Sequence, residues 1–229
     1  MKGRILKQRV LDLLGSEDLD FALEVLCSMP LLRVINSLFS FLYSTDEQIK
    51  WRAITAMGAA VARLADEDME QARIIMRRLM WNLNDESGGI GWGSPEAMGE
   101  ILACHELLAN EYVSVLISYA RKDGNYLELE MLQRGLLWGV ARLSQVRPYL
   151  VQDAVSDFMQ YLQSIDPAVR GLAAWLMGLL EAGDAREALE ALTDDDARLS
   201  VYKDRKLINC NVKELAEEAL KKVTKVTKV

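Results

Sequence analysis

The chain has 229 residues, of which 51% are hydrophobic and 27% are charged, so it carries too much apolar surface to be disordered. Its 14 glycines and 4 prolines are too few for a collagen-like or low-complexity chain. The net charge is −7, and without the eight basic residues near the two ends it is −15, which disfavours nucleic acid as a partner.

Nothing in the sequence indicates secretion or a membrane. The three cysteines, Cys27, Cys104 and Cys210, are odd in number and far apart, unlike the pairs of a disulfide-rich domain. The first residues lack the apolar stretch of a signal peptide. The longest nearly apolar run, 171–180, is about half the length of a membrane span. We therefore expect a soluble, cytoplasmic protein with no membrane contact.

An internal repeat runs through the chain. Four helical segments rich in small residues end at Gly58, Gly99, Gly139 and Gly178, which follow one another at almost equal intervals. A fifth copy spans Val212–Leu220 after a slightly longer gap. The interval of roughly 40 residues, with two helices in each repeat, indicates an α-solenoid, because tetratricopeptide and ankyrin repeats are shorter.

Capping residues and prolines place the helices in chain order. Residues 1–29 are predicted to form one or two cap helices, since the end of a repeat stack needs a cover. Further helices are predicted at 30–43, 46–64, 66–81 and 94–108, and from Pro148 and Pro167 onward. Residues 198–210 alternate around Lys203-Asp204-Arg205 and predict a β-hairpin, and 223–229 are predicted to be a frayed tail.

The fourth repeat resembles the HEAT-repeat family. Its residues Asp166-Pro-Ala-Val-Arg-Gly-Leu-Ala-Ala-Trp-Leu-Met-Gly178 match the HEAT pattern of an Asp and a Val-Arg pair before an Ala-rich helix, and 46–58 and 212–213 repeat parts of it. Residues 85–99 are also similar to uncharacterised bacterial HEAT-repeat proteins. The resemblance implies an all-α, right-handed solenoid of about five helix pairs. We assign a single domain, 1–229, with four repeats in 30–193 and a last unit in 194–222.

A glycine-rich stretch between two predicted helices is the first candidate site. Its acidic residues can bind a cation, and its backbone N–H groups and serine can bind an anion at the start of the next helix. It contains no Lys or Arg, and no strand precedes it as in a dinucleotide motif. We therefore favour a structural loop that lets Trp81 and Trp92 pack, and ligand binding is the alternative. The candidate ligand residues are Asp85, Glu86, Gly88, Gly89, Gly91 and Ser94.

Two tryptophans in register form the second candidate site. Trp51 and Trp92 lie at the same distance before the repeat glycines Gly58 and Gly99, and helical spacing places them beside Thr55 and Glu96, away from the apolar side. Trp175 is a further candidate in the fourth repeat. The resemblance implies that these helices line a concave face, where aromatic side chains can anchor a partner. The alternative is that neighbouring segments cover both rings.

The sequence gives little support for a catalytic or metal-binding site. The single histidine, His105, falls on an apolar helix side, where a hydrogen-bonded core role is expected, and no zinc or nucleophile motif occurs. We expect no cofactor and no metal. Arg73, Arg77 and Arg78 form a basic helical stripe that we expect to be solvated, with an acidic partner segment as the alternative ligand.

The leading hypothesis is therefore a non-enzymatic scaffold that binds a protein or peptide through the concave face. Fold alone does not establish this, so the hypothesis depends partly on analogy. Other HEAT-repeat proteins imply two alternatives. One is a DNA glycosylase for alkylated bases, with Trp51 and Trp92 as the aromatic residues and Asp85 as the acid, and the acidic body argues against it. The other is a phycobilin lyase.

Overall fold

Alternate helices of the chain carry the repeat. The computed structural model describes residues 3–84 and 91–226. Gly58, Gly99, Gly139 and Gly178 lie in the fourth, sixth, eighth and tenth α-helices, and the fifth copy begins the twelfth. The all-α architecture is therefore confirmed, with one small sheet near the C-terminus. None of the helices in the described ranges is long and apolar enough to cross a membrane.

The chain divides into two units, 1–109 and 110–229, and the division falls within α7 (Glu106–Ser118). The prediction of a single domain stays a prediction. The first unit contains α1 (Gly3–Leu14), α2 (Leu19–Ser28), α3 (Leu31–Phe39), α4 (Glu47–Glu67), α5 (Met69–Leu83) and α6 (Ser94–Cys104). The second contains α8 (Glu130–Val146), α9 (Val155–Met159), α10 (Pro167–Leu179), α11 (Arg186–Glu190), β1 (Arg198–Lys203), β2 (Lys206–Asn211) and α12 (Val212–Val226).

Within each unit, helices that carry the repeat glycines pack against each other. In the first unit α4 packs on α6, and in the second α10 packs between α8 and α12. Glycine makes this close approach possible. A Cβ on Gly58 would lie 2.5 Å from the Cγ of Glu100, and one on Gly178 would lie 2.7 Å from the Cα of Ala219. Gly58 and Gly178, at the endings of the first and fourth repeats, are therefore contact points between neighbouring helices.

The Asp and Val-Arg residues of the repeat have defined structural roles. Asp166 caps α10 by accepting a hydrogen bond from the Val169 N–H at 3.0 Å, and Val169 is buried. Arg170 then reaches Asp195, with 2.8 Å between Nε and Oδ2, and donates to the Ser164 carbonyl at 2.7 Å. The motif therefore starts its helix and fastens that start to the adjoining loops.

The first repeat uses equivalent residues in the same way. Asp46 accepts a hydrogen bond from the Ile49 N–H at 3.1 Å, and so caps α4. Lys50 occupies the arginine position and pairs with Glu96 of α6, with 3.0 Å between Nζ and Oε1. The first and fourth copies of the repeat therefore start their helices by one mechanism.

The hairpin near the C-terminus is confirmed. β1 and β2 are antiparallel, and Lys203 pairs with Lys206 across a two-residue turn. Both turn residues have positive φ, 51° at Asp204 and 62° at Arg205, as the tightest hairpin turns require. The Nε1–H of Trp138 in α8 donates to the Tyr202 carbonyl at 2.7 Å, which anchors the hairpin to α8.

Several predicted helix boundaries are corrected. The helix predicted from residue 30 ends at Phe39, and residues 41–43 form a turn. The helix predicted from residue 66 starts at Met69, because Asp68 is its cap and accepts from the Gln71 N–H. The segment after Pro148 is a series of short 3₁₀ turns around α9 rather than one helix. At the C-terminus, α12 continues to Val226, into the predicted tail.

The helix predicted over 94–108 is two helices. α6 ends at Cys104, and His105 adopts an extended conformation with φ of −138° and ψ of 119°. The Nδ1 atom of His105 accepts a hydrogen bond from the Leu108 N–H at 3.3 Å, so this histidine starts α7. Its Nε2 atom lies 3.5 Å from Oδ1 of Asp66. The histidine expected to be hydrogen-bonded in the core therefore caps α7 at the boundary between α6 and α7.

Removing the charge of Asp166 tests the repeat cap. Burial raises the Asp166 pKa, but hydrogen bonds from Arg134 and from the Val169 and Ala168 N–H groups outweigh burial and lower the pKa below 3.8. We expect Asp166→Asn, which keeps a cap oxygen, to lower the free energy of unfolding by about 1 kcal/mol at pH 7 because the ion pair with Arg134 is lost.

The sign of the pH dependence follows from the lowered pKa. The stabilisation by the Asp166 charge is complete well above pH 3.8 and disappears as the pH falls through the lower folded-state pKa. Urea unfolding of both proteins at pH 7, 5, 4 and 3 should therefore give a difference that shrinks below pH 4. A difference that is constant with pH would contradict this role of the charge.

Candidate functional site

A pocket in the first unit combines exposed aromatic rings with polar side chains. It has a volume of about 210 Å³. Helices α3 and α5, the turn after α3 and the start of α6 form its wall. We call it the Trp92 pocket, and it is lined by Asn36, Phe39, Ser40, Leu42, Tyr43, Arg78, Asn82, Trp92 and Ser94.

The late start of helix α6 explains where the Trp92 pocket lies. α4 begins at Glu47, far ahead of its repeat glycine Gly58, whereas α6 begins at Ser94, close to Gly99. The chain before α6 therefore forms a turn through Gly93, which has a φ of 76°. An added Cβ at Gly93 would collide with the Leu42 carbonyl. Only glycine fits both this backbone conformation and this close approach, so Gly93 fixes the start of α6 beside Leu42.

Aromatic side chains border the opening of the Trp92 pocket. Trp92 is 40% exposed and Tyr43 is 53% exposed. Exposed aromatic rings beside a concavity are typical anchors of binding surfaces, since they offer a large contact area with few rotatable bonds. The structure therefore places two exposed aromatic side chains at one small concavity.

Arg78 supplies the positive charge. Its Nη1 donates to the Asn36 Oδ1 at 2.7 Å, and its guanidinium carbon lies 3.7 Å from the ring centroid of Phe39. These two contacts hold the guanidinium against α3. The other arginines of the predicted stripe, Arg73 and Arg77, pair with Glu70, and hydrogen bonding from Arg77 is the main cause of the lowered Glu70 pKa.

Ser94 is the unusual polar group of the pocket. It is fully buried, and its hydroxyl oxygen has no hydrogen-bond partner within the described parts of the chain. It is the first residue of α6, whose cap residue Gly93 has no side chain to accept from the helix N–H groups. The Ser94 N–H donates to the Gly91 carbonyl at 3.0 Å and Pro95 has no N–H, so the Ser94 hydroxyl and the Glu96 N–H are the donors at the start of α6.

The two tryptophans predicted to be in register lie on different kinds of element. Trp51 is in the second turn of α4 and half-buried, with the Lys50 Nζ 5.2 Å from its ring centroid. Trp92 lies in the turn before α6. The equal spacing to Gly58 and Gly99 therefore does not give equivalent positions, because α6 lacks the first turns that α4 has.

The remaining residues of the predicted partner surface are buried. Thr55 is 6% exposed and donates to the Trp51 carbonyl, Glu96 is 4% exposed and pairs with Lys50, and Trp175 is 3% exposed within α10. The prediction placed all three on an exposed face, and burial among neighbouring helices corrects that placement. Trp81, expected to pack, is 74% exposed.

Part of the predicted ligand loop lies outside the described residues. This applies to Asp85, Glu86, Gly88 and Gly89. Of the other two candidates, Gly91 is buried in the turn before α6, and Ser94 lines the Trp92 pocket. Within 3–84 and 91–226, no group of three or more His, Cys, Asp or Glu residues is placed to hold a metal ion.

Most residues of the Trp92 pocket are not recognisable from the sequence. Asn36, Tyr43 and Asn82 carry no motif, and Arg78 was assigned to a solvated stripe. Arg78 and Asn36 are far apart in the chain, so only the packing of α3 against the following helices brings them together. The basic stripe was the one sequence signal for Arg78. Neighbouring residues diverge by about 100° on a helix, so Arg78 points away from Arg77, and Arg77 pairs with Glu70.

Comparison by sequence finds a partial relative and no family. No protein-family model matches the chain. An uncharacterized protein of Archaeoglobus fulgidus is 28% identical over 132 residues, 56% of this chain and 61% of that protein. The chain therefore matches about three fifths of that relative's length.

Solved structures cover nearly the whole chain. An engineered protein matches with a TM-score of 0.54 and 16% identity over 96% of both chains. A designed armadillo repeat protein in complex with the peptide (KR)4 matches with a TM-score of 0.52 and 18% identity, over 95% of this chain and 99% of that one. The chain has an armadillo/HEAT-like repeat fold. At these identities the likeness concerns the fold alone.

Proposed function

We propose that this armadillo/HEAT-like protein binds a peptide segment of a partner protein without catalysing a reaction, and that the Trp92 pocket holds one residue of that segment. The observation that carries the proposal is the pair of exposed aromatic rings, Trp92 and Tyr43, beside an open pocket of about 210 Å³. Rigid aromatic anchors next to a small concavity are typical of surfaces that bind peptides.

The size of the pocket favours a peptide over a cofactor. Sites for whole small molecules usually have volumes of roughly 300–1,000 Å³. At about 210 Å³, the Trp92 pocket suits a side chain or a chain end. Fold similarity supports the same class of ligand, because the designed armadillo neighbour was solved with a peptide.

The proposal differs from the surface predicted from sequence. Thr55, Glu96 and Trp175 are buried, and Trp51 is half-buried. These residues therefore do not form the exposed binding surface that the sequence predicted. Trp92 remains from that prediction and Ser94 from the predicted ligand loop, and both line one pocket. We therefore assign peptide binding to the Trp92 pocket at the start of α6, and not to a surface shared by Trp51, Trp92 and Trp175.

Selection from a random peptide library tests the proposal. We expect the wild-type protein to enrich peptides with a shared motif and Trp92→Ala to lose that enrichment. Trp81→Ala is the matched control, because Trp81 is 74% exposed and lies outside the pocket lining. Tyr43→Ala, at a second exposed ring of the pocket, should repeat the loss if Trp92→Ala alters folding.

Circular dichroism of every variant checks that the helices are retained. If the wild-type protein enriches no motif, or if a folded Trp92→Ala variant enriches the same peptides equally well, the proposed function is wrong.

A further inference from the structure

Ser94 presents a buried hydroxyl at the Trp92 pocket. A buried hydroxyl without a partner costs free energy because it has lost its hydrogen bond to water, and such groups are uncommon in folded proteins. Ser94 is fully buried, lines the Trp92 pocket, and has no hydrogen-bond partner among the described residues. A hydrogen-bonding group bound in the pocket would remove this cost.

Among the described residues, no carboxylate caps the start of α6, unlike the start of four other helices. Four helices begin with an aspartate whose oxygen accepts from the N–H three residues later; the pairs are Asp18 with Phe21, Asp46 with Ile49, Asp68 with Gln71 and Asp166 with Val169. In α6 the cap is Gly93, and the equivalent donor is the N–H of Glu96. A carboxylate from outside the chain would take the place of the missing cap at the positive end of the helix.

The charges around the pocket also favour an anion. Arg78 is the single charged residue among the described residues that line it. The Glu96 carboxylate at the start of α6 is paired with Lys50 at 3.0 Å. The acidic body of the chain opposes this only weakly, because salt screens exposed charges beyond about 8 Å at physiological ionic strength.

One arginine favours a carboxylate over a phosphate. A phosphate group carries about −1.5 to −2 charges at pH 7 and is usually recognised by clusters of arginine. Here a single guanidinium is partly engaged with Asn36 and with the Phe39 ring. One negative charge with two oxygens matches one guanidinium and two donors, the Ser94 hydroxyl and the Glu96 N–H.

We infer that the Trp92 pocket binds the carboxylate of a peptide, presented by an acidic side chain or by a C-terminus. Arg78 and the Ser94 hydroxyl bind the oxygens, and the start of α6 supplies a further donor. This inference rests on the proposed function and names the group that the pocket recognises.

Titration of the full-length, ¹⁵N-labelled protein with small probes tests the inference. The probes are N-acetylglutamate N-methylamide for an acidic side chain, N-acetylalanine for a C-terminus, the neutral N-acetylglutamine N-methylamide, and inorganic phosphate. We expect one or both carboxylate probes to shift the amide signals of Ser94 and Glu96 saturably, and the neutral probe to leave them unchanged. The carboxylate probe that binds more tightly identifies the source.

Variants connect those shifts to the pocket. Arg78→Gln and Ser94→Ala should each weaken binding of the carboxylate probe about tenfold, because each removes a hydrogen bond to a charged group. Arg77→Gln is the matched control, since Arg77 pairs with Glu70 instead. Ser94→Ala removes a hydroxyl that has no partner in residues 3–84 and 91–226, so its melting temperature should stay equal or rise. A fall in melting temperature would assign Ser94 a structural role and overturn the inference.

The other outcomes are equally decisive. Shifts by phosphate alone, shifts that persist at full affinity in Arg78→Gln, or no saturable shift by either carboxylate would each overturn the inference. These results leave the proposed function standing if peptide selection still depends on Trp92. Loss of the Trp92 dependence, in contrast, would remove the proposed function itself.

Discussion

Replacing Gly178 with alanine is expected to lower the free energy of unfolding by about 2 kcal/mol, as overpacking at a close contact between two helices does. The added Cβ would lie 2.7 Å from the Cα and 2.9 Å from the Cβ of Ala219, where α10 packs on α12. A backbone atom cannot rotate away, so the two helices must separate, and overpacking of this kind typically costs about 1–3 kcal/mol. The gain of about 1 kcal/mol in helix propensity offsets only part of the cost of a backbone collision.

Gly171→Ala in the same helix is the matched control. Its Cβ would lie 2.7 Å from a terminal methyl carbon of Leu199, which a change of rotamer can move. It would also lie 3.2 Å from a methyl carbon of Leu215 in α12, likewise a side-chain atom. Both substitutions gain the same helix propensity, so the comparison isolates the collision of Gly178 with the backbone of α12. We expect Gly178→Ala to lower the melting temperature by about 4–8 °C and Gly171→Ala to change it much less. Equal effects, or a neutral Gly178→Ala, would contradict the glycine contact between repeat helices.

Gly93→Ala is expected to be more damaging, at about 3 kcal/mol, because backbone strain and overpacking act together. The left-handed conformation costs roughly 1–2 kcal/mol for alanine, and Gly93 has a φ of 76°. The new methyl group would in addition collide with the Leu42 carbonyl, a backbone atom. Relief of the collision moves the turn that holds Trp92 and the start of α6, so peptide binding should be lost together with stability.

The control for Gly93 is Gly183→Ala, because a Cβ at Gly183 meets no atom within 4 Å. Thermal unfolding followed by circular dichroism, together with binding of a library-selected peptide, measures both effects. We expect Gly183→Ala to behave like the wild-type protein in both assays. A Gly93→Ala variant with an unchanged melting temperature would show that the turn does not depend on glycine.

The repeat architecture was predictable from sequence because its determinants are local and recur. Asp46 and Asp166 each lie three residues before the N–H group that they cap, so their role is readable without tertiary structure. The repeat glycines are recognisable from their regular spacing. The hairpin was equally local, since its turn at Asp204 and Arg205 is set by neighbouring residues.

The binding pocket depends on features that the repeat pattern hides. The alignment of Trp51 with Trp92 assumed helices of equal length, but α6 starts closer to its glycine than α4 does. The break at His105 is also concealed, because apolar residues continue with helical spacing on both sides of it. Arg78 meets Asn36 only through packing of distant segments. Where a repeat helix is shortened or interrupted, as in α6, the positions of its residues can be assigned only from the structure.

Calorimetric titration of the most enriched library peptide tests the central claim most directly. The wild-type protein, Trp92→Ala and Trp81→Ala would be compared under identical salt conditions. We expect binding about 30-fold weaker for Trp92→Ala, as for truncation of a tryptophan that anchors an interface, and unchanged binding for Trp81→Ala. Equal affinity of Trp92→Ala and the wild-type protein would contradict peptide binding at the Trp92 pocket.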